Sequence, residues 1–425
     1  MGTAKLAASI AETWSSSIVP TLQDYIRIPA LSPLFDPEWE STGEIDRARV
    51  LLEQWAHDNA PEGMTLETIK LPGRTPVLFA EIPGKGFGTA LLYGHFDKQP
   101  EMTGWDDDKG PWEPVIQNGR LYGRGGADDG YALFASIEAV RALQREGVDH
   151  PRVILLIEGS EESGSVDLPA YLETLAPRIG SCDLVVALDS TCGDYERLWC
   201  TTSLRGALVG ELSVTLLEEG VHSGDGSGVV ASTFRVVRQL LDRLEDSTTG
   251  HVLPEWLHAE IPAERLEQAA LAAEVLGSLG DKFPLVDGAR PVSDQPIELV
   301  LNRSWRPTLS IVGADGLPPM QKAGNVLRPS TGVKISVRLP PTVDAAAADA
   351  RLNELLTSDP PYGAHVTYAP RVPGQGWHMG PVQPWFTEAL DEASRAFFDA
   401  PPAYMGSGGS IPFMASLQES QPNAH

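Results

Sequence analysis

Three short apolar segments, each followed at once by acidic residues or histidine, constrain the fold more than any other feature of this chain. They are Ala90–Tyr93 before Gly94-His95-Phe96-Asp97, Val153–Ile157 before Glu158-Gly159-Ser160-Glu161-Glu162, and Leu184–Leu188 before Asp189. Segments this short and rich in Val, Ile and Leu predict strands buried on both faces of a parallel sheet. Ligand sites in such sheets lie beyond the carboxyl ends of the strands, so we expect these polar residues to meet at one edge.

Helical patterns flank these segments. Ile45–Trp55 and Tyr131–Leu143 carry apolar residues at helical spacing, and Gly147 follows the second as a stop signal. Strands that alternate with helices predict an α/β domain with a mixed, mostly parallel sheet flanked by helices.

The pattern changes after Leu204. Val209–Leu216 alternates as a half-buried strand, and Ser227–Glu245 predicts a long helix. This block of helices and alternating strands indicates an α+β domain inserted into the first one. We therefore assign residues 1–204 and 376–425 to the first domain and residues 205–375 to the insertion.

Composition excludes several classes of partner. Of the 425 residues, 42% are hydrophobic and 21% charged, enough to bury a sizeable core. Lys and Arg number 32 against 58 Asp and Glu, and the net charge of -26 disfavours nucleic-acid and membrane-surface partners. No apolar run approaches the ~18 residues of a membrane span. Without a signal peptide, and with only Cys182, Cys192 and Cys200, we expect a soluble protein of the cytoplasm.

Each polar segment has an ordinary interpretation when taken alone. Asp128 or Asp129, after a glycine-rich loop, could simply cap a helix, and Asp189 could be a turn residue. Together, one histidine and four or five acids converge on one end of one sheet, and a pair of divalent cations is the simplest compensation. A carboxylate that bridged two metals would hold a water and lower its pKa to about 7. A further carboxylate that binds no metal could then accept the proton.

The set of motifs closely resembles the dinuclear-zinc exopeptidases of peptidase family M20. It comprises Gly94–Asp97, Gly123–Asp129, Glu161–Gly164, Asp189 and His222-Ser223-Gly224, and the resemblance covers nearly the whole chain. That family includes carnosinase-type dipeptidases, glutamate carboxypeptidases, aminoacylases and succinyl-diaminopimelate desuccinylase. The resemblance implies that the inserted domain is a lid that mediates formation of a homodimer.

The resemblance also assigns roles at the metal centre. It implies His95, Asp128 and Asp189 on one metal, with Asp128 bridging to a second metal held by Glu162. Glu161 would be the general base and acid. Asp97 would orient His95. The implied cofactor is a pair of divalent ions, Zn²⁺ in the first place, with Mn²⁺ or Co²⁺ as alternatives.

A second group of residues is assigned to the substrate by the same resemblance. His222 would polarise the scissile carbonyl, commonly in the other subunit, although without context it is an ordinary loop histidine. Arg338 and Asn325 would hold the free carboxylate of the substrate; the alternative for Arg338 is a salt bridge. The loop around Ser410 would present backbone N–H groups to that carboxylate, with a plain turn as its alternative.

The chain departs from the family pattern at two places. The family usually has Lys two residues beyond the first Asp of its Asp-Asp pair, where this chain has Gly130. We interpret this as a variation within the family. The last family ligand is a C-terminal His in an Asn-Ala-His context, and here the sequence stops at Pro422-Asn423-Ala424-His425. Either His425 is that ligand or the chain is truncated before it, and we expect truncation.

We therefore expect a metallo-exopeptidase, a carnosinase-like dipeptidase that acts on dipeptides or short peptides. An N-acyl-amino-acid amidohydrolase on the same scaffold is the alternative. A catalytically silent metal-binding dimer is a third interpretation, disfavoured because Glu161 has no ligand duty of its own. Neither the G-x-S-x-G motif of serine hydrolases nor the H-E-x-x-H motif of other metalloproteases is present.

Overall fold

The chain forms two compact units in the computed structural model, which describes residues 3–425. The first unit comprises the chain up to Thr191 together with Pro381–Asp399 and Phe413–His425. The second comprises Cys192–Gly380 and Ala400–Pro412. Each unit has a hydrophobic core of its own. No helix within residues 3–425 is long and apolar enough to cross a membrane.

In the part of the chain that ends at Thr191, helices come first, a run of strands follows, and the two alternate towards its end. These elements are α1 (Thr3–Thr13), α2 (Val19–Ile26), α3 (Trp39–Thr42), α4 (Glu44–Asp58), β1 (Thr65–Ile69), β2 (Val77–Ile82), β3 (Thr89–His95), β4 (Val115–Gln117), β5 (Arg120–Tyr122), α5 (Ala132–Arg145), β6 (Arg152–Glu158), α6 (Leu168–Ile179) and β7 (Leu184–Ala187). The predicted helices at Ile45–Trp55 and Tyr131–Leu143 are confirmed as α4 and α5.

The remaining elements belong mostly to the second unit. They are β8 (Trp199–Leu204), β9 (Gly206–Thr215), β10 (Val221–His222), α7 (Ser223–Gly226), α8 (Thr233–Leu241), α9 (Ala263–Leu276), α10 (Pro296–Ser304), β11 (Thr308–Asp315), β12 (Val326–Leu327), β13 (Ser330–Leu339), α11 (Ala345–Thr357), β14 (His365–Pro370), β15 (Trp377–His378), α12 (Pro384–Phe398), β16 (Ala403–Ser407) and α13 (Pro412–Ser420). Of these, α12 lies in the first unit, and so does α13 from Phe413 onwards.

The sheet of the first unit is mixed, as predicted. Its five strands run in the order β1-β2-β6-β3-β7. The three predicted segments are the adjacent strands β6, β3 and β7, which are parallel, whereas β1 and β2 are antiparallel to their neighbours. The parallel part is therefore confined to the strands whose carboxyl ends carry the acids. His95 pairs in register with Glu158, so two of these ends lie level.

Burial in the first unit follows the sequence pattern. Every residue of Val153–Glu158 is buried, as a strand covered on both faces requires. On α5 the apolar face includes Phe134, which is fully buried and packs edge-on against Trp55 at 4.7 Å between ring centroids. Burying each side chain of this size contributes about 1.5–3 kcal/mol, which anchors the helices against the sheet that carries the acids.

The second unit contains an antiparallel sheet in the order β11-β13-β9-β14. Residues of β13 alternate between buried and half-buried, so one face packs on the core that α8 and α11 help to form. The long helix predicted for Ser227–Glu245 is wrong: α8 spans only Thr233–Leu241. Gly228 has a φ of +87°, which no helix accommodates, so the chain turns before α8 begins.

A three-stranded sheet, β15-β8-β16, fixes the bounds of the second unit. Because β8 pairs with both β15 and β16, residues 192–204 and 400–412 are grouped with the second unit. The change of sequence pattern predicts boundaries at 204/205 and 375/376 instead. The observed bounds depend on β8 pairing with strands that are distant in sequence, so the local sequence pattern does not mark them.

Candidate metal centre

His95 lies at the carboxyl end of β3 and is buried, with 1% of its surface exposed. Three carboxylates face its Nε2: Asp128 at 3.3 Å, Glu161 at 3.8 Å and Asp189 at 3.8 Å. This nitrogen is buried and makes no hydrogen bond to any described residue. Burial disfavours the imidazolium, but the carboxylates of Asp128 and Asp97 outweigh it and raise the pKa of His95 well above its usual value.

Asp97 is fully buried and connects two parts of the centre. Nδ1 of His95 lies 3.5 Å from its carboxylate and 3.1 Å from its backbone oxygen. The two carboxylate oxygens accept hydrogen bonds from the backbone amides of Glu161, at 3.0 Å, and Glu162, at 2.9 Å. The predicted partner of His95 therefore also holds the turn that follows β6.

That turn, a single 3₁₀ turn over Glu161–Ser163, presents two adjacent glutamates. Glu161 is buried, and burial raises its pKa to about 9, with further increases from Asp189 and Asp97. Burial likewise raises the pKa of Glu162 to about 7. Glu162 accepts a hydrogen bond from Gln99 at one oxygen, while its Oε1 is buried without a partner. Burial thus disfavours the ionised form of both glutamates, which a bound cation would favour.

The loop before α5 supplies Asp128 and Asp129, which are joined by a cis peptide bond. The side chain of Asp128 is half exposed, and the imidazole of His95, 3.3 Å away, lowers its pKa. Asp129 is fully buried and accepts a hydrogen bond from the backbone amide of His95 at 3.3 Å. A Cβ at Gly130 would lie 2.2 Å from the ring of Tyr25, so this position has no room for a lysine.

These residues form two overlapping groups with ligand geometry. In the first group are His95, Asp128 and Asp189; in the second are His95, Glu161 and Glu162, with the ligand atoms of each group within 4.8 Å of one another. Carboxylate oxygens and one imidazole are donors that divalent cations accept. Nε2 of His95 is buried without a hydrogen-bond partner and faces three carboxylates. A divalent cation would bind this nitrogen and the carboxylates together. The donors therefore fit a divalent metal.

Two buried charged residues near the centre, Glu158 and Lys98, were not predicted from the sequence. Glu158 accepts hydrogen bonds from Ser160 at 3.1 Å, Ser165 at 2.8 Å and Tyr93, and burial raises its pKa to about 7. Lys98 is fully buried, and its Nζ donates to the carbonyl oxygens of Tyr25 at 2.7 Å and Ile28 at 2.8 Å.

Both residues adjoin the segments that carry the site residues. Glu158 is the last residue of β6, and Lys98 directly follows Asp97. The only sequence signal of a role in the site was therefore their position next to predicted site residues. Nothing in the local pattern shows that their side chains turn inward. The aliphatic part of Lys98 would lie within 2.8 Å of a Cβ at Gly125, so it also packs against the loop that leads to Asp128.

The residues assigned to the substrate lie in the second unit and form two pairs. His222 and Asn325 are brought together because β10 pairs with β12, and Ser223 N donates to Asn325 O at 2.9 Å. The side chain of His222 is 66% exposed. Arg338, near the end of β13, donates from Nη1 to Ser410 Oγ at 3.0 Å. Their roles stay predictions.

His425 lies beside the beginning of β7. Its backbone exchanges hydrogen bonds with Asp183 O, at 3.0 Å, and Val185 N, at 2.8 Å. Its ring packs edge-on against Phe386 at 4.4 Å. Asp189 follows the other end of β7, and neither ligand group of the described residues includes His425.

Comparison with known proteins agrees with this arrangement. The sequence pattern of peptidase family M20/M25/M40 matches residues 91–422. A Cysteinylglycine-S-conjugate dipeptidase from Corynebacterium striatum is 26% identical over 79% of this chain and 72% of that protein. The Cys-Gly metallodipeptidase DUG1 of Saccharomyces cerevisiae is 27% identical over 93% of this chain and 84% of its own length.

The fold agrees as well. The crystal structure of human carnosine dipeptidase 1 superposes with a TM-score of 0.75 and 23% identity, covering 98% of this chain and 90% of that one. The family match spans most of the chain and includes all the residues that surround His95 Nε2. The chain belongs to peptidase family M20/M25/M40.

Proposed function

We propose that this chain is a dipeptidase that hydrolyses the peptide bond with a water activated by two divalent metal ions, Zn²⁺ in the first place. The observation that carries this proposal is the buried Nε2 of His95, which has no hydrogen-bond partner and faces Asp128, Glu161 and Asp189 within 3.8 Å. No other grouping in the described residues combines histidine with so many carboxylates at ligand distance.

The proposed ligands of the first ion are the first of the two groups described above. His95, Asp128 and Asp189 would hold one ion, and Asp128 and Glu162 would hold the second. Metals bound there supply Lewis acidity, which polarises a carbonyl and lowers the pKa of a water to about 7. Bound cations would also compensate the carboxylates whose pKa values burial raises.

Glu161 is the proposed general base and acid. Its carboxylate lies 3.8 Å from His95 Nε2. It could therefore accept a proton from a water bound beside that nitrogen. It would then return that proton to the leaving amine. Burial favours its protonated form, which supports the second half of this cycle. Asp97 holds Glu161 in place through the backbone amide of that residue.

The residues of the second unit are proposed to bind substrate. Arg338 and Ser410 already contact each other and offer a guanidinium fork and a hydroxyl to a free carboxylate. Asn325 would assist them. His222 would donate to the oxyanion that develops on the scissile carbonyl, and the exposure of its ring supports that role. The first unit would be the catalytic domain and the second the lid.

Dipeptides are favoured over N-acyl amino acids because the similar relatives are dipeptidases by name, two of them for Cys-Gly compounds. The test compares Cys-Gly and β-Ala-His with their N-acetylated forms, in the presence of Zn²⁺, Mn²⁺ or a chelator. We expect hydrolysis of the free dipeptides that the chelator abolishes. Preferential cleavage of the N-acetyl compounds would contradict the proposal and favour an amidohydrolase.

A homodimer in the cytoplasm is the proposed state of the protein. β11 is an edge strand of its sheet, and it exposes 45% of Ile311 and 57% of Val312. An edge with exposed apolar residues is suited to pairing with a second copy. Sedimentation of the native chain and of Val312→Lys tests the dimer, and a monomeric native chain would contradict it. The three cysteines are all free, which supports a reducing compartment.

A further inference from the structure

The second unit contains a cavity of about 460 Å³ whose charged lining is entirely basic. Arg205, Arg303, Arg338 and Lys282 line it, and the remaining lining consists of apolar side chains and glycine backbone. Its volume falls in the range of small-molecule sites. Only Arg338 of these four belongs to the carboxylate site proposed above.

No carboxylate in the described part of the chain compensates the positive charge of this cavity. Among residues 3–425, no carboxylate forms an ion pair with any of the three arginines. Arg205 donates instead to neutral oxygens, those of Gly408, Asn302 and Thr308 among them. Burial lowers the pKa of Arg205 to about 10, and the charges of Arg338 and Arg303 add to this effect. In a chain with a net charge of -26, an uncompensated cationic cluster points to an anionic ligand.

The cavity is built so that two guanidinium groups stay available. Arg303 is half-buried and makes no side-chain hydrogen bond to the described residues, and Arg338 makes one, to Ser410. A Cβ at Gly408 would lie 3.0 Å from Arg303 Cγ and 3.3 Å from Arg205 Nη2. The glycine therefore lets the backbone approach both arginines closely. Each free guanidinium fork matches one carboxylate.

We propose that this cavity binds a ligand with two carboxylates, and that the preferred dipeptide substrates end in Asp or Glu. This inference rests on the proposed function. Arg338 takes the terminal carboxylate, and Arg303 takes the side-chain carboxylate. Arg205, held by neutral oxygens, and Lys282 contribute the remaining positive charge. A ligand with one carboxylate would leave Arg303 without a counter-ion beside two other arginines.

Binding of L-glutamate and L-glutamine, measured by titration calorimetry, tests the site without relying on catalysis. These two probes have nearly the same shape and differ by one negative charge. We expect glutamate to bind at least about tenfold more tightly, which corresponds to about 1.4 kcal/mol. Arg303→Gln should abolish this preference, and Arg303→Lys, which keeps the charge but loses the fork, should retain part of it.

The matched control is Arg371→Gln, which removes the same charge from an exposed position outside the cavity. It should keep the full preference. Loss of the preference in Arg371→Gln as well would show a general effect of net charge and overturn the inference. So would inorganic phosphate binding more tightly than glutamate at the same arginines, because the ligand would then be a phosphate compound. Thermal unfolding of each variant verifies that it is folded.

A kinetic comparison of Ala-Glu with Ala-Gln separates this inference from the proposed function. We expect kcat/KM in the native chain to be at least about tenfold higher for Ala-Glu than for Ala-Gln. In Arg303→Gln, kcat/KM should be about the same for the two dipeptides. Equal hydrolysis of both dipeptides would overturn the inference and leave the dipeptidase intact. Binding of glutamate without hydrolysis of any dipeptide would overturn the proposed function and leave the dicarboxylate site intact.

Discussion

The backbone amide of Glu162 donates a hydrogen bond of 2.9 Å to the carboxylate of Asp97. The other oxygen of that carboxylate accepts from Glu161 N at 3.0 Å, and His95 Nδ1 lies 3.5 Å from it. One fully buried carboxylate therefore sets both the ring of His95 and the turn that presents the two glutamates. Residues of this kind affect metal affinity without touching the metal.

Asp97→Asn should weaken metal binding by about 10–100-fold. An amide has only one oxygen, so its NH₂ group would face one of the two backbone N–H donors. Calorimetric titration with Zn²⁺ measures the affinity. Asp107→Asn, at an exposed position on the loop before β4, is the control and should bind as the native chain does. Unchanged affinity in Asp97→Asn would show that the hydrogen bonds to this carboxylate do not support the centre.

Glu161→Gln should retain metal but lose about 10²–10⁴-fold in kcat, because no group would move the proton of the attacking water. Metal content and steady-state hydrolysis of a dipeptide, measured on the same preparation, separate the two effects. Loss of the metal along with activity would make Glu161 a ligand, as its place beside His95 and Glu162 also permits. An unchanged kcat would remove it from the reaction.

The sequence predicted the first unit well because its signals are local. Continuous apolar segments indicated β3, β6 and β7, and the polar residues that follow them do meet at one edge of the sheet. The second unit was harder. Its bounds depend on β8 pairing with β15 and β16, which are distant in sequence. The apparent helix at Ser227–Glu245 is shortened by Gly228, whose positive φ the pattern of apolar residues does not reveal.

In the candidate site, the residues around His95 Nε2 and their support Asp97 were identified from the sequence, whereas two further supports were not. Lys98 and Glu158 looked like ordinary charged residues, yet both are buried. Their burial is stabilised by carbonyl and hydroxyl partners that other segments of the chain supply. The basic cavity was missed for the same reason: Arg205, Arg303 and Arg338 come from three separate segments and only the fold brings them together.

The metal-free protein should lose stability as the pH rises. Burial raises the pKa of Glu162 to about 7 and that of Glu161 to about 9, above their value of 4.5 when exposed. Their contribution to stability is therefore complete below pH 4.5 and is lost as the pH rises through about 7 and then about 9. Bound metal would compensate the ionised carboxylates. We expect Zn²⁺ to raise the Tm more at about pH 8 than at about pH 5; an equal or reversed increment would contradict this.

His222→Ala should keep metal content and lose about 10²–10³-fold in kcat, because the oxyanion would lack one donor. His365→Ala, which removes another exposed histidine of the second unit, is the control and should be fully active. If the site is completed by a second subunit, mixing His222→Ala with Glu161→Gln should restore part of the activity. Full activity of His222→Ala alone would return this residue to an ordinary loop position.

The central claim is that Asp128 joins two metal ions beside His95. The most direct measurement is the metal content of the native chain and of Asp128→Ala, determined by mass spectrometry after loading with Zn²⁺ and removal of free metal. We expect two ions per native chain and a loss of bound metal in Asp128→Ala, because both ions would share that carboxylate. Equal metal content in the two proteins would contradict it.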